Sequence, residues 1–383
     1  MQDFLTDEFL DSATEQLISI TQQMSSETVG IIADCIKKIG TLNPAEVNRL
    51  RNSMRIADLG KIEKELSRLT GLAIDEIENI FETVAEENEV MVQALYEYRN
   101  IDQIPYYEHK IISGIVDGAI QNAKEDFLNI SETRAFNING KITTISKAYN
   151  NAIDMAVISL SQGTTDYNVA TKKIVSNLAK SGLRTIDYDS GYSRRLDSSV
   201  RMNILDGCRQ MSLAMREQQA KEYGADGWEI SAHALCREDH LSSQGRVFSF
   251  DEFEKLNNRL KTPIATGEYN CKHTKVGVIM AINQPAYSKD ELEELNGMST
   301  EKKKFIGLSG QELEKTKYEC SQYLNNIEVS IRQMEAEKEA LKRSGSIGVK
   351  KLQREINARK SEYRRICRAT NIRERPERLR NYT

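Results

Sequence analysis

Three of the four histidines and two of the six cysteines of this 383-residue chain fall between His233 and His273. They lie in SAHALCREDHLSSQGRVFSF, which begins at Ser231, and in GEYNCKHTKVG, which begins at Gly267. On an α-helix His233 and His240, seven residues apart, would point within about 20° of one another two turns apart. On an extended segment Cys271 and His273 would share a face. Two such pairs brought together give His233, His240, Cys271 and His273 the donor set of a tetrahedral zinc site, with Cys236 as a substitute ligand. The same imidazoles could instead hydrogen-bond backbone groups and brace the surrounding turns. Arg237, Glu238 and Asp239 stand among them as a charged clamp. A metal-dependent nuclease would use His233 or His240 as base and Asp239 as a metal ligand, beside Cys271 and His273, but no second carboxylate is identifiable. Walker, dinucleotide-binding, nucleophile-elbow and HExxH signatures are absent. The expectation is a protein without an enzymatic role and with no obligatory cofactor.

The elements around this cluster are mostly helical. Five prolines, one tryptophan and a 7% aromatic share favour helix over a large sheet. Leu17, Met24, Ile31, Ile32, Cys35, Ile36 and Ile39 recur at helical spacing, and Gly40 ends the pattern. Asn43, Pro44 and Glu46 read as a cap, a first-turn proline and an acidic first turn. That helix is expected to stop at Gly71, with a third starting near Ile74. Further helices are expected beyond Pro105, across Lys147 to Leu160, up to Gly182, and from about Arg194 to Tyr223. GWEISA, GRVFSF and KVGVIMAI read as strands, with DEFEKLNNRLK helical between them. Cys320, Leu324, Ile327, Ile331, Met334, Lys338 and Leu341 form a heptad seam. SGSIG at 344–348 interrupts it, and Val349, Leu352, Ile356, Arg359, Tyr363 and Ile366 resume it, which predicts an antiparallel helical hairpin.

The predicted fold class is therefore mainly α: a multi-helix body, a small α+β module and a C-terminal hairpin. Its parts are an N-terminal helical region at 1–105, a helical body at 106–225, the His/Cys module at 226–285, a linker at 286–310, and the basic hairpin and tail at 311–383.

Residues 301–383 hold 21 basic against 12 acidic side chains, a surplus of nine, so the net −4 leaves −13 for residues 1–300. Such a tail meets something negative: an acidic protein face, or DNA phosphates. Arg364, Arg365, Arg368, Arg373 and Arg375 are the candidate DNA contacts. The acidic N-terminus carries no signal-peptide pattern, no apolar run reaches membrane-span length, and the cysteines lack paired spacing. A soluble protein with free thiols, made in a cytosol and with no membrane partner, is expected.

Three ordered motifs carry a family resemblance. They are Tyr188, Ser190, Gly191 and Leu196 before a long helix; His233, Arg237, His240, Gln244 and Gly245; and Asn270, Cys271, Lys272 and His273. Together these resemble the phage minor capsid protein 2 family, related to the Mu F-like head-morphogenesis proteins. Glu238, Ser243 and Lys272 depart from that pattern, which usually has proline, tryptophan and arginine there. The resemblance implies a virion structural protein of a tailed phage, present in a few copies inside the head near the portal. Portal and capsid proteins would be its partners, and packaged DNA would be within its reach.

Overall fold

Burial and capping fix the first helices. In the computed structural model, which describes all residues except 1–5, 162–166, 188, 189, 191, 268–270 and 382–383, α1 (Asp7–Ala13) leads into α2 (Glu15–Ile39). Leu17, Met24, Ile32, Cys35, Ile36 and Ile39 of α2 are buried along one side, and Gly40 caps it. Asn43 then opens α3 (Pro44–Arg99) with a capping box: its side chain accepts from Glu46 N at 3.0 Å, and Glu46 accepts from Asn43 N at 2.9 Å. Such a cap contributes about 1 kcal/mol.

The stop expected at Gly71 does not occur. α3 runs through it for 56 residues and fuses the two helices expected there. A helical glycine costs about 1 kcal/mol, whereas Leu66, Leu69, Ala73, Ile77, Ile80 and Phe81 bury one continuous stripe across it. Each large side chain in that stripe contributes roughly 1.5–3 kcal/mol, so packing outweighs propensity.

Around this spine pack α4 (Lys110–Glu132), α5 (Ile145–Ser161), α6 (Tyr167–Ser181) and α7 (Leu196–Glu222), with α7 held by α2, α3 and α4. A four-stranded antiparallel sheet sits among them in the order β2-β1-β3-β4. Its strands are β1 (Ala135–Ile138), β2 (Lys141–Thr144), β3 (Arg184–Ile186) and β4 (Ser193–Arg195). Asn139 and Gly140 turn the β1–β2 hairpin with φ of 53° and 81°, the backbone an Asn-Gly turn supplies.

The module forms as expected, with β5 (Gly227–Ile230), β6 (Val247–Ser249), α8 (Phe250–Asn257) and β7 (Lys275–Val278) giving an antiparallel sheet ordered β6-β5-β7. Trp228, Ile230, Phe253 and Ile264 share a core with Val92 and Tyr96 of α3 and with Ala220 and Tyr223 at the end of α7. A Cβ on Gly277 would lie 2.6 Å from Ala220 and Tyr223, so only glycine lets β7 approach α7 this closely. A buried polar chain ties the same elements. Asn88 accepts from Ser212 Oγ at 2.8 Å and Arg216 Nε at 2.9 Å, and donates to Gln219 at 3.1 Å.

The linker expected at 286–310 is instead structured. It holds α9 (Lys289–Thr300), opened by a Ser288/Glu291 capping box, and β8 (Lys302–Ile306), which pairs with β9 (Glu312–Thr316). The hairpin follows as α10 (Lys317–Arg343) and α11 (Val349–Thr370). Gly345 and Gly348 turn the chain with φ of 69° and 102°. Cys320, Leu324, Ile327 and Ile331 meet Tyr363, Ile366 and Cys367 in a third core, while Ala340, Leu341, Leu352 and Ile356 join the main one. No helix among the described residues is long and apolar enough to cross a membrane.

Candidate functional site

His233 and His240 are not on one helix. The chain from Ser231 to Arg237 is irregular, and only Glu238–His240 forms a single 3-10 turn. The polar run after it closes on His240, whose carbonyl accepts from Ser243 N at 2.9 Å and Gln244 N at 3.0 Å. Gly245 then takes φ +67°, and a Cβ there would overlap Leu292 of α9. Local hydrogen bonding and a left-handed glycine thus replace the helical repeat that the spacing suggested. Cys271 and His273 lie on irregular backbone just before β7, with their side chains in contact. Asn270, Tyr188 and Gly191 fall outside the described residues.

The four expected residues converge by this different route. Cys271 Sγ lies 3.4 Å from His273 Nδ1 and 3.9 Å from His240 Nδ1. The His273 ring meets His233 at 4.2 Å between centroids and His240 at 5.3 Å. His240 is fully enclosed, Cys271 and His273 are each 2% exposed, and Gln244 is 1% exposed. His240 Nε2 donates to the Thr262 carbonyl at 2.8 Å, and His273 Nε2 donates to Gln244 Oε1 at 3.2 Å. The Gln244 amide is oriented unambiguously, because its Oε1 also accepts from His233 N at 3.0 Å while its Nε2 donates to Asn296 Oδ1 at 2.8 Å.

Burial works against a Cys271 thiolate, but contact with His240 and with the backbone of Ala265 and His273 outweighs it and holds the thiol below its ordinary value. Burial likewise opposes charge on His240, yet the Cys271 sulfur and the Thr262 carbonyl raise it above the usual imidazole value. His273 is pushed well below that value by burial and by the neighbouring His233, His240 and Arg237. The pair nearest to sharing a proton is therefore Cys271 and His240.

Other expected participants stand aside. His233 Nδ1 accepts from Leu235 N at 3.2 Å, so His233 braces its own turn and supports His273 by ring contact. Cys236 donates to the Arg237 carbonyl, and burial pushes its thiol up to about 12. Asp239 lies 3.9 Å from His240 Nε2, the ring nitrogen that faces away from Cys271. The adjoining cavity, lined by His233, Arg237, His240, Cys271, Lys272 and His273 together with Tyr318 of α10, is only about 20 Å³. That volume takes a single water. Sequence reasoning missed Thr262 and Asn296. A backbone carbonyl leaves no side-chain signal, but the Ser-x-x-Glu cap at Ser288 would have revealed the helix that carries Asn296.

Gly245→Ala should destabilise the module by roughly 1–3 kcal/mol, since it adds a left-handed alanine to a methyl overlap with α9. A fall in the thermal midpoint, with no fall and up to about 1 kcal/mol of gain at the helical Gly297→Ala, would confirm this; at Gly297 an added Cβ meets nothing within 4 Å.

The candidate DNA-contacting arginines divide into two sets. Arg364, Arg365 and Arg368 lie on the exposed side of α11. Arg373 pairs with Glu8 and Glu377. Arg375 is turned inward: it is 8% exposed, meets Glu328 at 2.8 Å and Asn325 at 2.8 Å, and offers no surface to a phosphate. Arg378 reaches Asp11 at 2.7 Å and Arg380 reaches Glu15 at 3.0 Å. Much of the tail's charge is thus answered by the acidic N-terminal helices of the same chain.

The start of α7 builds a polar hub. Asp197, at the start of α7, is 4% exposed and meets Arg195 at 3.2 Å and Arg332 of α10 at 3.3 Å. It joins the end of the small sheet, the long helix and the hairpin.

No curated protein and no solved structure matches the chain. The family model for phage minor capsid protein 2 matches residues 5–368. Its span takes in the long-helix motif with its Asp197 hub, the His/Cys module and nearly all of the hairpin, so these are parts of one architecture and not borrowed fragments. The chain belongs to the phage minor capsid protein 2 family, whose members are structural proteins of the virion.

Proposed function

We propose that the chain stands inside the phage head at the portal vertex, against portal and capsid proteins, with the outer face of α11 turned to packaged DNA. The supporting observation is the distribution of charge on α11. Lys350, Lys351, Arg354, Arg364, Arg365 and Arg368 are all exposed, and at 100° per residue they fall within an arc of about 140°, along roughly 27 Å of helix. Leu352, Ile356, Tyr363 and Ile366 take the opposite side. Glu374 lies 3.7 Å from Arg364 and 3.9 Å from Arg368, exposed pairs that contribute little and yield readily to a phosphate.

The alternative, a metal-dependent phosphodiester enzyme at the His/Cys cluster, has less support. The cluster is buried, its cavity has room for one water, and none of the three grouped donors is a carboxylate. A density map of intact virions tests the location: the fold should appear at the portal vertex, and its placement elsewhere would defeat the reading. For the DNA face, log affinity should fall linearly with log salt. Replacing Lys351, Arg354 and Arg368 together with glutamate should lessen that slope by about 0.9 for each phosphate no longer neutralised. A flat salt response in the unaltered protein would remove DNA binding from the proposal.

A further inference from the structure

We infer that His240, Cys271 and His273 bind one zinc ion through both histidine Nδ1 atoms and the Cys271 sulfur, with a water completing the tetrahedron from the adjoining cavity. One ligand atom from each of the three residues lies within 4.8 Å of the other two, and both Nδ1 atoms face the Cys271 sulfur. A tetrahedral centre with bonds of about 2.3 Å to sulfur and about 2.0 Å to nitrogen sets sulfur and nitrogen roughly 3.5 Å apart. The observed 3.4 and 3.9 Å need only a small closure.

The hydrogen-bond partners outside the cluster determine which way each ring presents its lone pair. The acceptor facing His240 Nε2 is a backbone carbonyl, and the one facing His273 Nε2 is the Gln244 amide oxygen, itself fixed by the backbone N–H of His233. Both Nε2 atoms must carry hydrogen, so both neutral rings aim an Nδ1 lone pair at the same sulfur. A thiol has one proton and can satisfy only one of them; the other would face sulfur lone pairs in a buried space. A divalent cation on the thiolate satisfies all three donors at once, and its binding releases the thiol proton to solvent.

The remaining features are those of a metal site. The Thr262 carbonyl and the Gln244–Asn296 chain are the outer partners that orient metal-binding histidines. One thiolate with two imidazoles and no carboxylate favours zinc over magnesium or calcium. The cavity of about 20 Å³, which also touches Tyr318 and Ser321 of α10, has space for the fourth ligand and for nothing larger. Bound there, the ion would staple the 3-10 turn to the approach of β7 and, through Gln244, to α9.

The test uses the full-length protein. Elemental analysis should find one zinc per chain. Exchange with cobalt(II) should give a tetrahedral visible spectrum and a near-ultraviolet thiolate-to-cobalt charge-transfer band. Cys271→Ser should abolish that band. Gln244→Leu should weaken zinc affinity about 10- to 100-fold in competition with a chromophoric chelator, while Gln244→Glu, which keeps the acceptor, should retain it. If titration of the unaltered protein gave neither stoichiometric zinc nor a charge-transfer band, the inference would be overturned whatever the variants did. Persistence of the band in Cys271→Ser, or unaltered affinity in Gln244→Leu, would overturn it equally.

Discussion

Asp197→Asn should cost about 3–5 kcal/mol of folding stability, the usual result of removing one partner from a buried ion cluster. The change is nearly isosteric, so packing is preserved and the loss is electrostatic. Arg195 and Arg332, 5% and 8% exposed, would keep their charge without the carboxylate between them. The expected readout is a lower denaturant midpoint with an unchanged slope. Pairing Asp197→Asn with Arg332→Met should cost less than the sum of the two single changes, because the side chains are in contact. Acid unfolding supplies an independent check. Burial works against ionised Asp197, but Arg195, Arg332 and Arg201 outweigh it and hold the carboxyl far below the ordinary range. A depressed folded-state value gives stability that is complete above the unfolded carboxylate value of about 3.9 and is lost as pH falls below it. The unaltered protein should therefore lose stability more steeply below about pH 4 than Asp197→Asn does. Equal midpoints for the two proteins at neutral pH would show that the cluster contributes nothing.

Helix boundaries were legible wherever a local signal determined the outcome. Gly40, the Asn43 cap and the SGSIG turn were all identifiable because capping and left-handed turns are decided within a few residues. Gly71 misled for the opposite reason. Its local cost is small and is overruled by side chains that pack against α2 and the rest of the body, which a single helix's pattern does not disclose. The β1–β2 hairpin was legible in principle from Asn139-Gly140 between FNI and KIT, yet it was hidden by its four-residue strands.

For the site, the structure brings His240, Cys271 and His273 together with His233 at their side, but by a geometry other than the one the spacing suggested. Spacing of seven suggested a helix, whereas the polar run up to Gly245 folds into turns that bring His233 and His240 round to Cys271 by separate paths. Donor type survives such an error; orientation does not. The Thr262 carbonyl and the Gln244 amide that set the ring tautomers lie 22 and 29 residues away in sequence from the rings they meet, and no local pattern encodes them. Charge was the most deceptive signal. The surplus of basic residues after Ser344 was visible, but composition does not tell a face turned to solvent from one turned to Asp11, Glu15 and Glu328.

Deleting the residues after Thr370 separates these two uses of charge, and its main effect should be on folding. Arg375 would leave Glu328, which is 2% exposed and also accepts from Tyr363 at 2.8 Å. Arg378 would leave Asp11, 3% exposed, to its pair with Arg201 at 2.8 Å. Leu379 would be withdrawn from the third core. An unpaired buried carboxylate costs about 3–5 kcal/mol and the removal of a buried leucine about 1.5–3. Against a total stability of roughly 5–15 kcal/mol, the hairpin should come away from α1 and α2. Limited proteolysis should then cut α10 and α11 early, and the thermal transition should broaden or split. Glu328→Gln in the full chain should give a milder version, because the amide still hydrogen-bonds Tyr363 while the Arg375 guanidinium goes uncompensated. Were the truncated protein to melt as the intact one does and lose only DNA affinity, residues 371–381 would be a nucleic-acid arm and their ion pairs incidental. The buried positions of Arg375 and Leu379 argue for the other outcome: the end of the chain locks the hairpin to the first helices, and contact with DNA falls to the open face of α11.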